Sequence, residues 1–292
     1  MARFTRREFL RTTLATGALA TTGTLPLVAA GTRATDTVTL GKSNIRVTRL
    51  AFGTGSHGGR VQRDLGQDGF NALVRHAWDR GIRFYETSDT YDGMHEMLGI
   101  ALKGVPRDSY QLMSKITTNS GDPHQRFDEL RKQANTDYFD IMLLHVQQGD
   151  DWPEQSKRWQ DAISEAQHKQ IIRARGASVH GLPALRQVPT NEWLQVAMIR
   201  MNHKGTKMDS DGNFWMATGD VPAVVDQVHL ARKAGLGVVS MKLIGEGIFN
   251  REDRQKAMRF AFQNAGVDSV TVGYKSPAEI DEAIDNINAA LA

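Results

Sequence analysis

The sequence predicts an α/β protein, a (β/α)8 TIM barrel with an N-terminal β-hairpin capping the barrel bottom. Three observations carry that expectation. Short apolar runs alternate eight times with amphipathic stretches of helical period. About 260 residues follow an N-terminal segment, 1–30, which is enough for one large core and usual for a single barrel. Four ionisable residues, Glu86, Tyr91, Lys115 and His145, each stand where an apolar run stops and a loop begins. In a barrel of parallel strands those ends gather on one face. The structural rival is an open doubly wound sheet, but eight strand–helix units close most naturally into a barrel.

The first segment is not expected to belong to the fold. Arg3, Arg6, Arg7 and Arg11 stand against a single Glu8, and a small-residue, mildly apolar stretch runs to Leu27-Val28-Ala29-Ala30. That is the layout of an export signal. Thr5-Arg6-Arg7-Glu8-Phe9-Leu10-Arg11 resembles the twin-arginine motif, with arginine in its last place. The expected division is a signal over 1–30 and a barrel over 31–292, in a periplasmic or otherwise exported protein. The alternatives are a basic tail or an uncleaved anchor, for which glycine, threonine and Pro26 make a poor span.

The signal accounts for the charge. The chain has 36 Lys+Arg and 33 Asp+Glu, and removing 1–30 takes away four arginines and one glutamate, leaving 32 of each. A near-neutral remainder gives no case for nucleic acid or a membrane surface. The absence of cysteine excludes disulfides, a thiolate nucleophile and an iron–sulfur site.

Past the signal, Val38 to Val47 with Gly41 reads as a hairpin. Strands are expected at 50–53, 83–87, 111–114, 139–144, 172–177, 194–201, 237–241 and 269–272. Between them, Phe70, Leu73, Val74, Ala77 and Trp78 repeat at helical spacing before Gly81. Val221, Val224, Val225 and Val228 do the same before Gly235. The last helix opens on Ser276-Pro277-Ala278-Glu279, a capping box with proline in the first turn, and continues through Ile280, Ile284 and Ile287.

Several segments resemble the aldo-keto reductase family. Gly81-Ile82-Arg83-Phe84-Tyr85-Glu86-Thr87-Ser88-Asp89-Thr90-Tyr91 is similar to the family's Gly-Ile-Asn-Phe-Phe-Asp-Thr-Ala-x-x-Tyr. Met113-Ser114-Lys115 matches its lysine strand, and Asp137-Tyr138-Phe139-Asp140 through His145 matches Asp-Tyr-Ile-Asp-Leu-x-x-x-His. Leu98-Gly99-Ile100, Ile172-Arg173-Ala174-Arg175-Gly176-Ala177-Ser178 and Gly273-Tyr274-Lys275-Ser276-Pro277 complete the order. The resemblance implies an NAD(P)H-dependent oxidoreductase reducing an aldehyde or ketone, or oxidising the alcohol. Tyr91 would be the proton donor, with Lys115 and His145 tuning it and Glu86 at the place of the family's aspartate. Lys115 is expected to lower the phenol's pKa.

Glu86 adds one methylene to that aspartate, a displacement of about 1.5 Å unless the side chain folds back. A bent rotamer still pairing with Lys115 is the favoured outcome; a slower enzyme or other chemistry are the alternatives. The resemblance implies a cofactor, NADPH or NADH, held by Ser178, Met198, Asn202, Met241, Lys242, Lys275, Ser276 and Glu279. Met241 replaces an aromatic platform and Met198 a glutamine. Glu279, in place of an arginine, would disfavour a 2′-phosphate.

Two other readings stay open. His57, His145, His180 and His203 follow expected strands, but no H-x-H pair or carboxylate spacing supports a metal-dependent barrel hydrolase, and no metal is expected. An exported barrel could also have become a non-catalytic binding protein. The expected partners are a small-molecule carbonyl substrate and the twin-arginine machinery, with no stable membrane span after processing and a monomeric state. The segment 203–219, with Lys204, Lys207, Asp209, Asp211 and Trp215, is the candidate substrate loop, since the long C-terminal loop of many relatives is expected to be missing. Trp152 and Trp193 either line the pocket or pack under loops.

Overall fold

A computed structural model describes residues 32–118, 121–212 and 218–292. The expected signal at 1–30 and Trp215 lie outside the described residues.

Among the described residues ten strands form two sheets. β1 (Thr37–Thr39) and β2 (Arg46–Thr48) make the antiparallel hairpin. Then come β3 (Leu50–Gly53), β4 (Phe84–Glu86), β5 (Gln111–Ile116), β6 (Phe139–Gln147), β7 (Ile172–Val179), β8 (Val196–Arg200), β9 (Gly237–Met241) and β10 (Ser269–Gly273). These eight are parallel and close into a barrel, β10 pairing with β3 through Val270↔Leu50 to Gly273↔Gly53. Gly53, Gly55 and Gly58 fall at the spacing of a dinucleotide-binding turn, yet the sheet closes rather than staying open.

The hairpin caps the barrel bottom. Leu40 and Val47 belong to the same buried cluster as Ala51, Phe84, Ile141, Val196 and Val239 inside the barrel. Gly41 bridges to Leu236, and Lys42 N donates to Gly235 O at 2.7 Å. A Cβ on Gly41 would meet Gly235 O at 2.3 Å, so the hairpin seats only because that residue has no side chain.

Outside the barrel, alternation hands the other face of each strand to the helices. Phe70, Leu73, Val74 and Ala77 of the helix Gly66–Asp79 are buried as their spacing predicts. The last helix, Pro277–Leu291, buries Ile280, Ile284 and Ile287. Ser276 caps it, its Oγ accepting from Glu279 N at 3.4 Å. The box is offset by one residue: Glu279 reaches back to Lys275 N at 2.9 Å rather than to Ser276. Among the described residues no helix is long and apolar enough to cross a membrane.

Three strands run past their expected ends, β5 to Ile116, β6 to Gln147 and β7 to Val179. Apolar runs stop there, but the backbone ladder continues because the polar ends line the top of the barrel. β8 and β4 are shorter than expected. Trp152 is buried with its Nε1 donating to Ala184 O at 3.2 Å, and Trp193 donates to Ser164 Oγ at 2.9 Å, so both pack under elements rather than line a pocket.

Candidate active site

Glu86, Lys115 and His145 end β4, β5 and β6 on one face, and Tyr91 follows β4 by a short turn. Glu86 Oε1 forms an ion pair with Lys115 Nζ, and both side chains are buried. Lys115 Nζ also donates to Thr87 O at 2.9 Å. The lengthened carboxylate therefore still reaches the lysine. Burial pulls the Lys115 ammonium well below the ordinary lysine range, with Lys242 adding to the effect.

Tyr91 lies over this pair. Lys115 Nζ sits 4.6 Å from the centroid of its ring, against the π face rather than the phenol oxygen. Gly55 makes room for the hydroxyl, since a Cβ there would stand 2.5 Å from Tyr91 Oη. Burial raises the phenol's pKa, and Glu246 and Asp89 raise it further. This corrects the expectation that Lys115 lowers it. The lysine's charge is turned to Glu86 and Thr87, and the anions near the phenol oppose a phenolate.

The β6–β7 register slips between Leu144 and Gln147, and Val146 takes φ 56°, a conformation costly for a β-branched residue. The slip lies at His145. Its ring meets Tyr91 edge to face at 5.8 Å between centroids. Nδ1 is turned toward Ser88 Oγ at 2.8 Å and Thr90 Oγ1 at 3.3 Å, with Asp89 Oδ1 3.8 Å away. Burial lowers the imidazole to about 4 against the pull of Asp89, with Lys115 assisting.

A cavity of about 610 Å³ opens above, lined among others by Tyr91, Thr117, His145, His180, Arg200 and Lys207. His180, expected at the mouth only in the metal reading, lines this cavity, and Arg200 lines it without having been expected there. Arg200 had a signal: it continues the inward alternation of Val196 and Met198 to the strand end. Arg200 is fully buried, its Nε donating to Asp209 Oδ1 at 2.7 Å. Asp209 lies in the loop segment expected to face the substrate. The four histidines do not converge: His145 and His180 are neighbours at 6.4 Å, whereas His57 lines a separate cavity and His203 packs on Phe249. Among the described residues no cluster of three or more ligating side chains has metal geometry.

A trough leads away from Tyr91. A narrow groove lined by Gly55, Met198, Met241, Lys242, Thr271 and Gly273 joins the main cavity to one of about 290 Å³ beside Lys275, Glu279 and Glu282. The buried Thr271 Oγ1 and Tyr274 Oη have no hydrogen-bond partner among the described residues, and both residues line this path. Its elongated shape, thin glycine walls, cations and orphaned polar atoms suit a dinucleotide.

The expected cofactor residues divide. Met198, Met241, Lys242, Lys275 and Glu279 line the trough. Asn202 does not face it freely: Nδ2 donates to Thr206 O at 2.7 Å, and Oδ1 accepts from Lys204 N and Thr206 N, both at 3.1 Å. Its amide ties the loop after β8 instead. Ser276 is committed to its helix cap, and Ser178 is buried with His180 Nε2 3.5 Å away. Lys242 is in the right place but already holds Glu246, as does Lys207. Burial opposes ionisation of Glu246, yet the two lysines outweigh it and hold its pKa near about 2.

Comparison with known proteins bears on the fold and the family. The model of the aldo/keto reductase family matches residues 49–257. An aldo-keto reductase of Glycine max is 26% identical over 231 residues, covering 73% of this chain and 60% of that protein. L-galactose dehydrogenase of Arabidopsis thaliana is 32% identical over 117 residues, 36% of each chain. The chain thus spans less than two thirds of these relatives' length. An aldo-keto reductase from Klebsiella pneumoniae, solved in complex with NADPH, superimposes with a TM-score of 0.63 at 18% identity, covering 87% of this chain and 89% of that one. At that identity the likeness is one of fold. With the family model covering most of the barrel, this chain belongs to the aldo/keto reductase family.

Proposed function

We propose that this protein is an NAD(P)H-dependent oxidoreductase that reduces an aldehyde or ketone, or oxidises the corresponding alcohol. The observation that carries the reading is the trough that ends at Tyr91 above the buried Glu86–Lys115 pair. A nicotinamide cofactor bound there would supply or accept hydride. Tyr91 would give its proton to the carbonyl oxygen as negative charge develops on it. Lys115, held by Glu86, would pack beneath the ring and fix where Tyr91 presents its hydroxyl. Met241 and Met198 would pack against the cofactor ring, and Lys275 would meet its adenosine end. Lys242 would exchange Glu246 for phosphate oxygens.

Glu279 stands at the adenosine end beside Glu282, which Arg254 holds through bonds of 2.7 and 2.9 Å. Two carboxylates at that end weaken a preference for a 2′-phosphate. NADH and NADPH are therefore expected to bind with similar strength. Fluorescence titration with both checks this; NADPH binding much tighter than NADH would overturn it.

We also propose that residues 1–30 direct export by the twin-arginine route to the periplasm, in line with Arg6-Arg7 and the apolar stretch that follows. Arg6→Lys with Arg7→Lys should leave the protein in the cytoplasm. The activity itself is tested by following oxidation of reduced cofactor with a panel of aldehydes and ketones. Turnover abolished in Tyr91→Phe supports the reading; cofactor bound without turnover of any carbonyl or alcohol would favour a binding protein.

A further inference from the structure

Ser88 stands where the family motif quoted above has alanine, and its hydroxyl lies between Asp89 and His145. Ser88 Oγ is 3.2 Å from Asp89 Oδ1 and 2.8 Å from His145 Nδ1. The other carboxylate oxygen, Oδ2, accepts from Thr117 N at 2.9 Å and Thr117 Oγ1 at 2.8 Å. Burial opposes charge on Asp89, but the bonds from His145 and Thr117 outweigh it and hold the carboxyl below its ordinary range. An ionised carboxylate can only accept. It takes the one proton Ser88 has, and Ser88 Oγ then faces Nδ1 as an acceptor.

The surroundings of the ring agree. Thr90 Oγ1 at 3.3 Å and Asp89 Oδ1 at 3.8 Å put further oxygen on the Nδ1 side. Lys115 and Lys242 bring positive charge to bear on the ring, which opposes a second proton. A neutral imidazole has one proton to place, and the acceptors on one edge decide where it goes. Nε2 makes no hydrogen bond to any described residue, and the ring lines the main cavity.

We propose that Ser88 is a positioning residue: backed by Asp89, it fixes His145 with its proton on Nδ1 and presents a bare Nε2 to the cavity. His145 then accepts a hydrogen bond from the ligand. It does not donate one to the carbonyl oxygen, which leaves Tyr91 as the donor there. A hydroxyl on the ligand can satisfy Nε2, so the proposal extends to carbonyl compounds bearing a hydroxyl beside the reacting carbon as the favoured substrates. This substrate preference rests on the reductase reading; the assignment of the proton does not.

The proton is located by two-bond 1H–15N NMR of the full chain labelled with 15N-histidine, the His145 signals being identified by their loss in His145→Asn. The expected result at neutral pH is Nδ1–H for His145 in the native protein, a shift toward Nε2–H in Ser88→Ala and in Asp89→Asn, and return to Nδ1–H in Ser88→Thr. Nε2–H in the native protein, or the same tautomer in Ser88→Ala as in the native chain, overturns the proposal. The native spectrum decides even where a variant fails to fold. For the substrate, kcat/KM for glyceraldehyde relative to propanal should fall about tenfold in Ser88→Ala, mostly through KM. An unchanged ratio overturns the hydroxyl preference. No turnover of either aldehyde by the native protein would sink the reductase reading, and the spectrum would still decide the tautomer.

Discussion

Glu86 and Lys115 form a buried ion pair under the ring of Tyr91, and the lysine's remaining bond goes to the carbonyl of Thr87. A carboxylate one methylene longer than the family's aspartate thus holds the lysine from β4 to β5 across the barrel top.

Removing one charge of that pair leaves the other buried and alone. Glu86→Gln should destabilise the protein by about 3–5 kcal/mol. Chemical denaturation measures this. Glu86→Asp keeps the charge but shortens its reach, and should lower carbonyl reduction about tenfold, given that misplacement by about 1 Å can cost a hundredfold. A rise in activity would show that the longer side chain is not adapted to this site.

Tyr91→Phe should lower kcat by about a hundredfold or more while leaving cofactor affinity intact, as expected for loss of a general acid. Gly55→Ala reaches the same hydroxyl from the other side. Its methyl would stand 2.5 Å from Tyr91 Oη, so the ring must move. Kinetics of the two variants should therefore agree in direction, with a melting point little changed in Tyr91→Phe and lowered in Gly55→Ala.

Glu246 occupies Lys242 and Lys207 on the path a dinucleotide would take. Anion binding must displace it. Glu246→Gln should raise cofactor affinity about threefold to tenfold, measured by fluorescence titration, and should leave the fold intact. Affinity that falls in this variant would instead make Glu246 part of the binding site.

Three buried histidines, His95, His145 and His180, have their pKa lowered by burial. Burial takes His95 and His145 each to about 4 in the folded chain, His95 Nε2 lying 2.8 Å from Ser114 Oγ. Between pH 6.5 and 4 the unfolded chain therefore binds protons that the folded chain refuses. Stability rises with pH across that window: it is full above about 6.5 and lost progressively as pH falls toward 4, by up to about 3 kcal/mol per histidine. Denaturation midpoints at neutral pH and near pH 4.5 test this. His95→Gln should flatten the slope.

Much of the barrel was legible in the order of residues. Leu50 to Gly53 and Gly237 to Met241 are strands with the bounds expected, because turns and polar residues flank short apolar runs there. Phe70, Leu73 and Val74 are buried because helical spacing puts them on one face. Other readings failed for local reasons. Asn202 reads as a ligand-binding amide, but its Oδ1 and Nδ2 are taken up by the loop after β8 and by Lys242 O after β9. The expected path to Tyr91's acidity failed because the direction of a lysine ammonium is set by its partners, not its strand position.

The sequence by itself determined the alternation of strands and helices, the closure into a barrel, and the placing of Glu86, Tyr91, Lys115 and His145 at one mouth. These depend on periodicity and on strand polarity, which neighbouring residues dictate. Only the tertiary structure decided that Glu86 reaches Lys115, that Lys115 lies against the face of Tyr91, that Glu246 holds Lys242, and that Ser88 joins Asp89 to His145. Each of these relations is a matter of rotamer and burial between residues brought together from different parts of the chain, and spacing along the chain carries no information about either.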